Sequence, residues 1–197
     1  MAATLNLGPI RLTLLLDGDM RIEGSELFHP AKREEWSIGL APDAQGTLSV
    51  LVRSVLISVG ERHTLVDTGL GEDPGGRARP QNVLKSLAAA GLQAKQISRV
   101  LLTHSHGDHI LGNTLQRAGR WLPTFPLAEY VIQRQEAEAL YKENVGIWRA
   151  RMAPLEQNGQ LRTVDGYTEI DEYLACWPTP GHTCGHQSVV VRASERE

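Results

Sequence analysis

The chain alternates between short runs of Val, Ile and Leu and stretches where apolar residues return every three or four positions. Segments 10–16, 48–59 and 62–66 are rich in these residues and lie between Gly or Asp turns, so they read as early strands. Over 81–92 (Gln81 to Leu92), Val83, Leu84, Leu87 and Ala88 share one face and Gly91 stands near the end, the pattern of an amphipathic helix. Segment 98–103 contains the continuous apolar run Val100-Leu101-Leu102 and reads as a buried strand. Ile110, Leu111, Thr114, Leu115 and Ala118 recur at helical spacing, which predicts a helix beginning at or just after Asp108. The partial positive charge of its N-terminus would favour the ionised carboxylate.

A second β–α unit is legible in the strand 128–132 and the charged helical stretch 133–144. Within 145–160, Ile147, Trp148 and Met152 stand at near-helical spacing and are expected to pack on the core rather than cap a pocket. Strands 161–164, 172–177 and 187–192 follow. Such alternation of strands and helices favours a mixed α/β fold.

With 197 residues and 41% hydrophobic content, the chain is long enough for one domain with its own core, over 1–197. A net charge of −3 gives no basic footprint, so nucleic acid is not the expected partner. The apolar run Leu12–Leu16 is ended by Asp17 and Asp19, too short for a signal peptide or a membrane span. Cys176 and Cys184 lack zinc-finger spacing and read as reduced thiols. A cytoplasmic protein with no membrane partner is expected.

The chemistry is concentrated in Thr103-His104-Ser105-His106-Gly107-Asp108-His109. Three imidazoles beside a carboxylate suit zinc, and also iron or manganese. In extended chain His104 and His106 project to one side and offer two ligands to one ion. Gly107 permits a tight turn that would bring Asp108 and His109 to a second position nearby.

The run His104-x-His106-x-Asp108-His109 resembles the signature of the metallo-β-lactamase superfamily. Two further stretches resemble that family's motifs in the same order. One is Leu65-Val66-Asp67-Thr68-Gly69, a strand-end aspartate motif; the other is Thr179-Pro180-Gly181-His182-Thr183-Cys184-Gly185-His186, its third-histidine loop. The resemblance covers 65–186 and implies a four-layer αβ/βα sandwich with metals at the sheet edge.

It also implies that His104, His106 and His182 hold one metal, and that Asp108 and His109 belong to a second. Zinc is the expected ion, two in the complete family pattern, with iron or manganese as alternatives. A di-metal site activates water for hydrolysis of an ester, lactone, thioester, amide or phosphoester, and Asp108 could hand a proton to the leaving group. Asp67 would orient a ligand histidine by accepting its distal N–H, or else cap the local turn, and His186 would either support the ligands from behind or be a structural histidine. His29 and His63 receive no role. Proline is frequent at the place of Cys184 in the family, so that residue is expected to be a small buried filler.

The Gly-His-Thr-x-Gly-His form of the third motif and the long stretch between His109 and His182 resemble the lactonase branch, so an acyl-homoserine-lactonase-like hydrolase is the favoured reading. Gly24 to Trp36 would then lie over the active site, although a surface loop explains Phe28 and Trp36 nearly as well. A glyoxalase II-like thioesterase, a mononuclear iron persulfide dioxygenase-like enzyme and an inactive member are the alternatives. The substrate would be a small molecule, and a homodimer is an assembly the chain could adopt. The family pattern continues with a metal-bridging aspartate and a final histidine, yet no Asp or His follows His186. The sequence therefore resembles a C-terminally truncated member, with the fold incomplete before its last strands and helix.

Overall fold

The computed structural model describes residues 3–72 and 82–193. A seven-stranded sheet runs in the order β1-β2-β3-β4-β5-β8-β9. Its first half is antiparallel: β1 (Thr4–Leu7), β2 (Ile10–Glu23), β3 (Thr47–Val59) and β4 (Arg62–Val66). From β4 onward it is parallel, through β5 (Ile97–Leu101) and the later strands β8 (Glu129–Gln133) and β9 (Leu161–Val164). The first strand segment continues past Leu16 to Glu23, with a register shift between Leu16 and Gly18, because β3 is long enough to pair with all of it.

Two short helices, α1 (Gly24–Leu27) and α2 (Arg33–Trp36), join β2 to β3. Phe28 stacks on the buried Trp36 at 5.6 Å, so this segment packs largely on itself. Helix α3 (Val83–Ala89) is capped by Asn82, whose Oδ1 accepts from Lys85 N at 3.0 Å, and buries Val83 and Leu87. The expected start of that helix at Gln81 lies outside the described residues.

After β5 the chain departs from the sequence pattern. The helix expected from Asp108 is a single turn, α4 (Gly107–Ile110), followed by a 3₁₀ turn and a hairpin of β6 (Thr114–Arg117) and β7 (Arg120–Pro123). Neighbouring loops claim the backbone instead: Gly112 N donates to Gly69 O, and Thr68 Oγ1 donates to Asn113 Oδ1 at 2.9 Å. Ala118 and Gly119, at φ 49° and 75°, then form a two-residue turn of the kind that favours hairpins. A helix of one turn has little macrodipole, so a different influence must act on Asp108.

Past β8 come α5 (Arg134–Glu143), α6 (Val145–Arg151) and α7 (Ala153–Gln157). A second, antiparallel sheet contains β10 (Thr168–Glu169), β11 (Leu174–Pro178) and β12 (Gln187–Val191).

Strand alternation explains how both faces of the large sheet are covered. Val100, Leu102, Tyr130 and Ile132 point into one core with Val83 and Leu87 of α3, Leu140 of α5, and Met152 and Leu155. Leu101 and Val131, one residue out of phase, point into a second core with Leu174 and Cys176 of the small sheet. Ile147 and Trp148 pack against the first core and Met152 is fully buried within it. The result is a mixed α/β sandwich with helices on one face and the second sheet on the other.

Candidate metal centre

Strands β4, β5 and β8 are parallel neighbours, so their C-terminal ends open onto one edge of the sheet. That edge is where ligand sites of such sheets are built. Asp67 follows β4, the histidine run follows β5, and the first turn of α5 follows β8. The loop 179–186, between β11 and β12, reaches the same edge from the second sheet. Gln187 fastens it there: its amide donates to Thr103 O at 2.9 Å, and its Nε2 to Leu102 O at 2.8 Å. Its Oε1 accepts from Gln133 Nε2 at 2.9 Å. This buried amide chain ties the two sheets together beneath the site.

His104, His106 and His182 converge, with one ring nitrogen from each lying within 4.8 Å of the others. His106 Nδ1 and His182 Nε2 are 2.9 Å apart. Nitrogens sharing one tetrahedral zinc would stand roughly 3.3 Å apart, so a small adjustment suffices. His104 is buried, and its Nε2 has no hydrogen-bond partner among the described residues. An orphaned buried nitrogen costs about 1–3 kcal/mol, a cost removed if that lone pair meets a cation. The donor set therefore fits a divalent metal held by imidazole.

The rest of the network fixes the rings. Asp67 Oδ1 accepts from Thr103 N at 2.8 Å, and Oδ2 from Thr103 Oγ1 at 2.8 Å. With its proton so directed, the hydroxyl accepts from His104 Nδ1 at 3.0 Å, which leaves His104 Nε2 as the free lone pair. Asp67 Oδ2 also faces His109 Nδ1 at 2.8 Å. Asp67 adopts the left-handed region, at φ 59°, and is held there by its amide bond to Leu101 O. Aspartate tolerates that conformation better than most residues, and the position is typical of strain kept at a site.

Asp108 Oδ2 lies 3.3 Å from His109 Nε2. Burial opposes a charge on His109, but hydrogen bonds to Asp108 and Asp67 outweigh it and raise the imidazolium pKa to about 9. The same His109 contact, against burial, holds the Asp108 carboxyl below the usual range, and this contact replaces the expected helix dipole as the main influence. His104 is pushed down to about 3, first by burial and then by the neighbouring histidines, and stays neutral. His186 sits beside the cluster, 5.1 Å ring to ring from His104, with its Nδ1 2.9 Å from Thr179 Oγ1. His63 is remote from the cluster and pairs with Ser58.

Two residues escaped the sequence reading. In the sequence Thr103 only ends the segment 98–103, and Glu136 is one of several charges in the stretch 133–144. Glu136 is buried, and its carboxylate accepts from Ser105 N (2.8 Å), Ser105 Oγ (2.6 Å) and Gly185 N (3.0 Å). Burial alone would raise its pKa, but these bonds keep it below the usual glutamate range. An acidic residue on the apolar face of a helix, facing a histidine loop, is the signal that could have exposed it.

Cys184 corrects the expectation of a buried filler: it is exposed. The loop turns its side chain outward to line a cavity of about 550 Å³ with His106, His182, Leu140 and Ile147. The Gly24–Trp36 segment packs on itself and on β2, and Arg33 donates to Asp43 O at 3.1 Å in the loop before β3.

Residues 47–196 match the family model described as the metallo-beta-lactamase superfamily. The chain belongs to that superfamily. Its metallo-beta-lactamase fold also superposes on solved structures of low identity. A probable metal-dependent hydrolase from Staphylococcus aureus gives a TM-score of 0.82 at 22% identity, over 96% of this chain and 71% of that one. AidC, a dizinc quorum-quenching lactonase solved with a product, gives 0.75 at 24%, over 98% and 71%. The hydrolase AbOPH gives 0.78 at 22%, over 97% and 69%. At such identities the likeness is one of fold. A ribonuclease Z from Mycolicibacterium gilvum (strain PYR-GCK) is 42% identical over 74 residues, 36% of this chain, and the match spans 21% of that curated relative. No helix among the described residues is long and apolar enough to cross a membrane.

Proposed function

We propose that this chain carries the metal centre of a hydrolase acting on a small lactone or ester, of the acyl-homoserine-lactone type. The observation that supports it most is the convergence of three histidine nitrogens with the buried, unpartnered His104 Nε2. In this reading His104, His106 and His182 hold one ion, most simply zinc, and Asp108 and His109 face a second. When bound, such ions supply Lewis acidity, lowering the pKa of water and polarising a carbonyl oxygen.

The chain's own groups do the remainder. Asp67 and Thr103 hold His104 and His109 in fixed tautomers. Asp108, kept ionised, accepts a proton from the attacking water and returns it to the leaving oxygen as the acyl bond breaks. The exposed rims of His106 and His182 leave the carbonyl a path of approach. The lactone class is carried over from AidC, whose fold this chain shares. A ribonuclease activity is disfavoured by the net charge of −3, which gives no net attraction to a phosphate backbone. We also propose a cytoplasmic enzyme with no membrane or nucleic-acid partner; a homodimer would be compatible with this reading.

Metal analysis and hydrolysis assays test the proposal. The protein should bind zinc and open N-acyl-homoserine lactones or cleave aryl esters in a chelator-sensitive way. His106→Ala should abolish tight binding at the three-histidine site, and Asp108→Asn should cost about 10²-fold in rate. Full activity in metal-free protein, or unchanged zinc affinity in His106→Ala, would overturn it. Iron content with oxygen consumption would place the chain in a different reaction class.

A further inference from the structure

Glu136 is not among the residues proposed to hold metal, yet it touches both loops that carry them. Each carboxylate oxygen serves one loop: Oε1 accepts from the amide and hydroxyl of Ser105, and Oε2 from the amide of Gly185. Ser105 stands between His104 and His106, so fixing its backbone fixes the direction of both rings. Gly185 lies three residues past His182, and a Cβ there would meet the backbone and Cβ of Glu136. The His182 loop is therefore pressed directly on the first turn of α5. At the foot of the site the loops are joined by Gln187 and Thr103; at the upper end they are joined by this carboxylate.

We propose that Glu136 is a positioning residue that sets the separation of the His104–His106 loop from the His182 loop, and with it the geometry of the three-nitrogen site. This inference rests on the metal-site reading above. A carboxylate meets the requirement at both ends, because the amides of Ser105 and Gly185 can only donate and each faces a different oxygen. A glutamine side chain presents an acceptor on one side and donors on the other, so one of these two backbone amides must lose its acceptor.

Glu136→Gln in the full chain tests this, with two readouts besides activity. In metal-free protein, amide hydrogen exchange at Ser105 or Gly185 should accelerate tenfold or more, while Val100 and Tyr130 in the core strands keep the parent rate. Zinc affinity, measured by chelator competition, should fall 10- to 100-fold, and the cobalt(II) absorption spectrum of the substituted site should shift. A folded Glu136→Gln protein with parent exchange rates, zinc affinity and cobalt spectrum would refute the proposal. If that variant does not fold, Ser105→Ala removes only one of the three donors. Several-fold weaker zinc binding with a shifted spectrum then supports the tie, and parent values overturn it. Failure of the site reading itself appears separately, as His106→Ala binding zinc like the parent. The exchange measurement on metal-free protein still decides whether Glu136 joins the loops.

Discussion

Thr103→Val removes one hydroxyl and almost no volume, and its consequences can be worked through atom by atom. The hydroxyl donates to Asp67 Oδ2 at 2.8 Å and accepts from His104 Nδ1 at 3.0 Å. In the valine variant Asp67 keeps the Thr103 amide bond and His109, so its loss is that of one hydrogen bond to a charged acceptor, about 1.5 kcal/mol or somewhat more. His104 is buried and its Nδ1–H would be left without a partner, a further cost of about 1–3 kcal/mol. The metal-free protein should therefore lose about 2.5–4.5 kcal/mol. With neither ring nitrogen partnered, the tautomer that carries the proton on Nε2, the atom needed for the metal, is no longer disfavoured. Zinc affinity should fall about 10- to 100-fold, equivalent to a further 1.4–2.7 kcal/mol of zinc-dependent stabilisation lost at saturating metal. Urea unfolding with and without zinc separates the two contributions, the first present in both series and the second in the zinc series alone. Parent stability in both series would show that Thr103 neither satisfies His104 nor sets its tautomer.

His109 has a folded-state pKa raised to about 9 against 6.5 for the unperturbed group, so its contribution to metal-free stability is complete below about pH 6.5 and lost as pH rises through 9. The pH dependence of chelator-treated protein should flatten in that window in His109→Gln, and an identical slope in both proteins would contradict the assignment. Gln187→Leu should destabilise by about 2–4 kcal/mol on chemical denaturation, because Gln133 Nε2 and Leu102 O both lose a buried partner. A neutral result would mean that the amide chain between the sheets is not what joins them. Cys184 is exposed, whereas Cys176 is buried with its thiol pushed up to about 11 by burial. A thiol reagent should modify one cysteine rapidly in the native state and the second only on unfolding; two fast reactions would be inconsistent with this arrangement.

Much of the framework is written in local pattern. Branched apolar runs such as Val100-Leu101-Leu102 have a period of two once they join a sheet, and they predict both a strand and its burial. The density of imidazole in 104–109, with Asp67 and His182 in matching motifs, marks a metal chemistry before any coordinate is known. Tertiary structure decided what local pattern could not. The helical spacing from Ile110 to Ala118 was real, but Gly69 and Thr68, more than forty residues upstream, hold the backbone at Gly112 and the side chain at Asn113, and the helix stops after one turn. Cys184 has the composition of a buried filler and an exposed position, because the loop is oriented by contacts at Gly185 and Gln187. Thr103 carries no sequence signature of its own, and that of Glu136 is only its place on the apolar face of α5 beside Ala137 and Leu140. Their importance arises because parallel strands bring β4, β5 and β8 to one edge, and a carboxylate or hydroxyl acts on whatever that edge places within 3 Å. Periodicity reports which side of an element is buried, but hydrogen-bond partners come from distant segments, and only the assembled chain determines them.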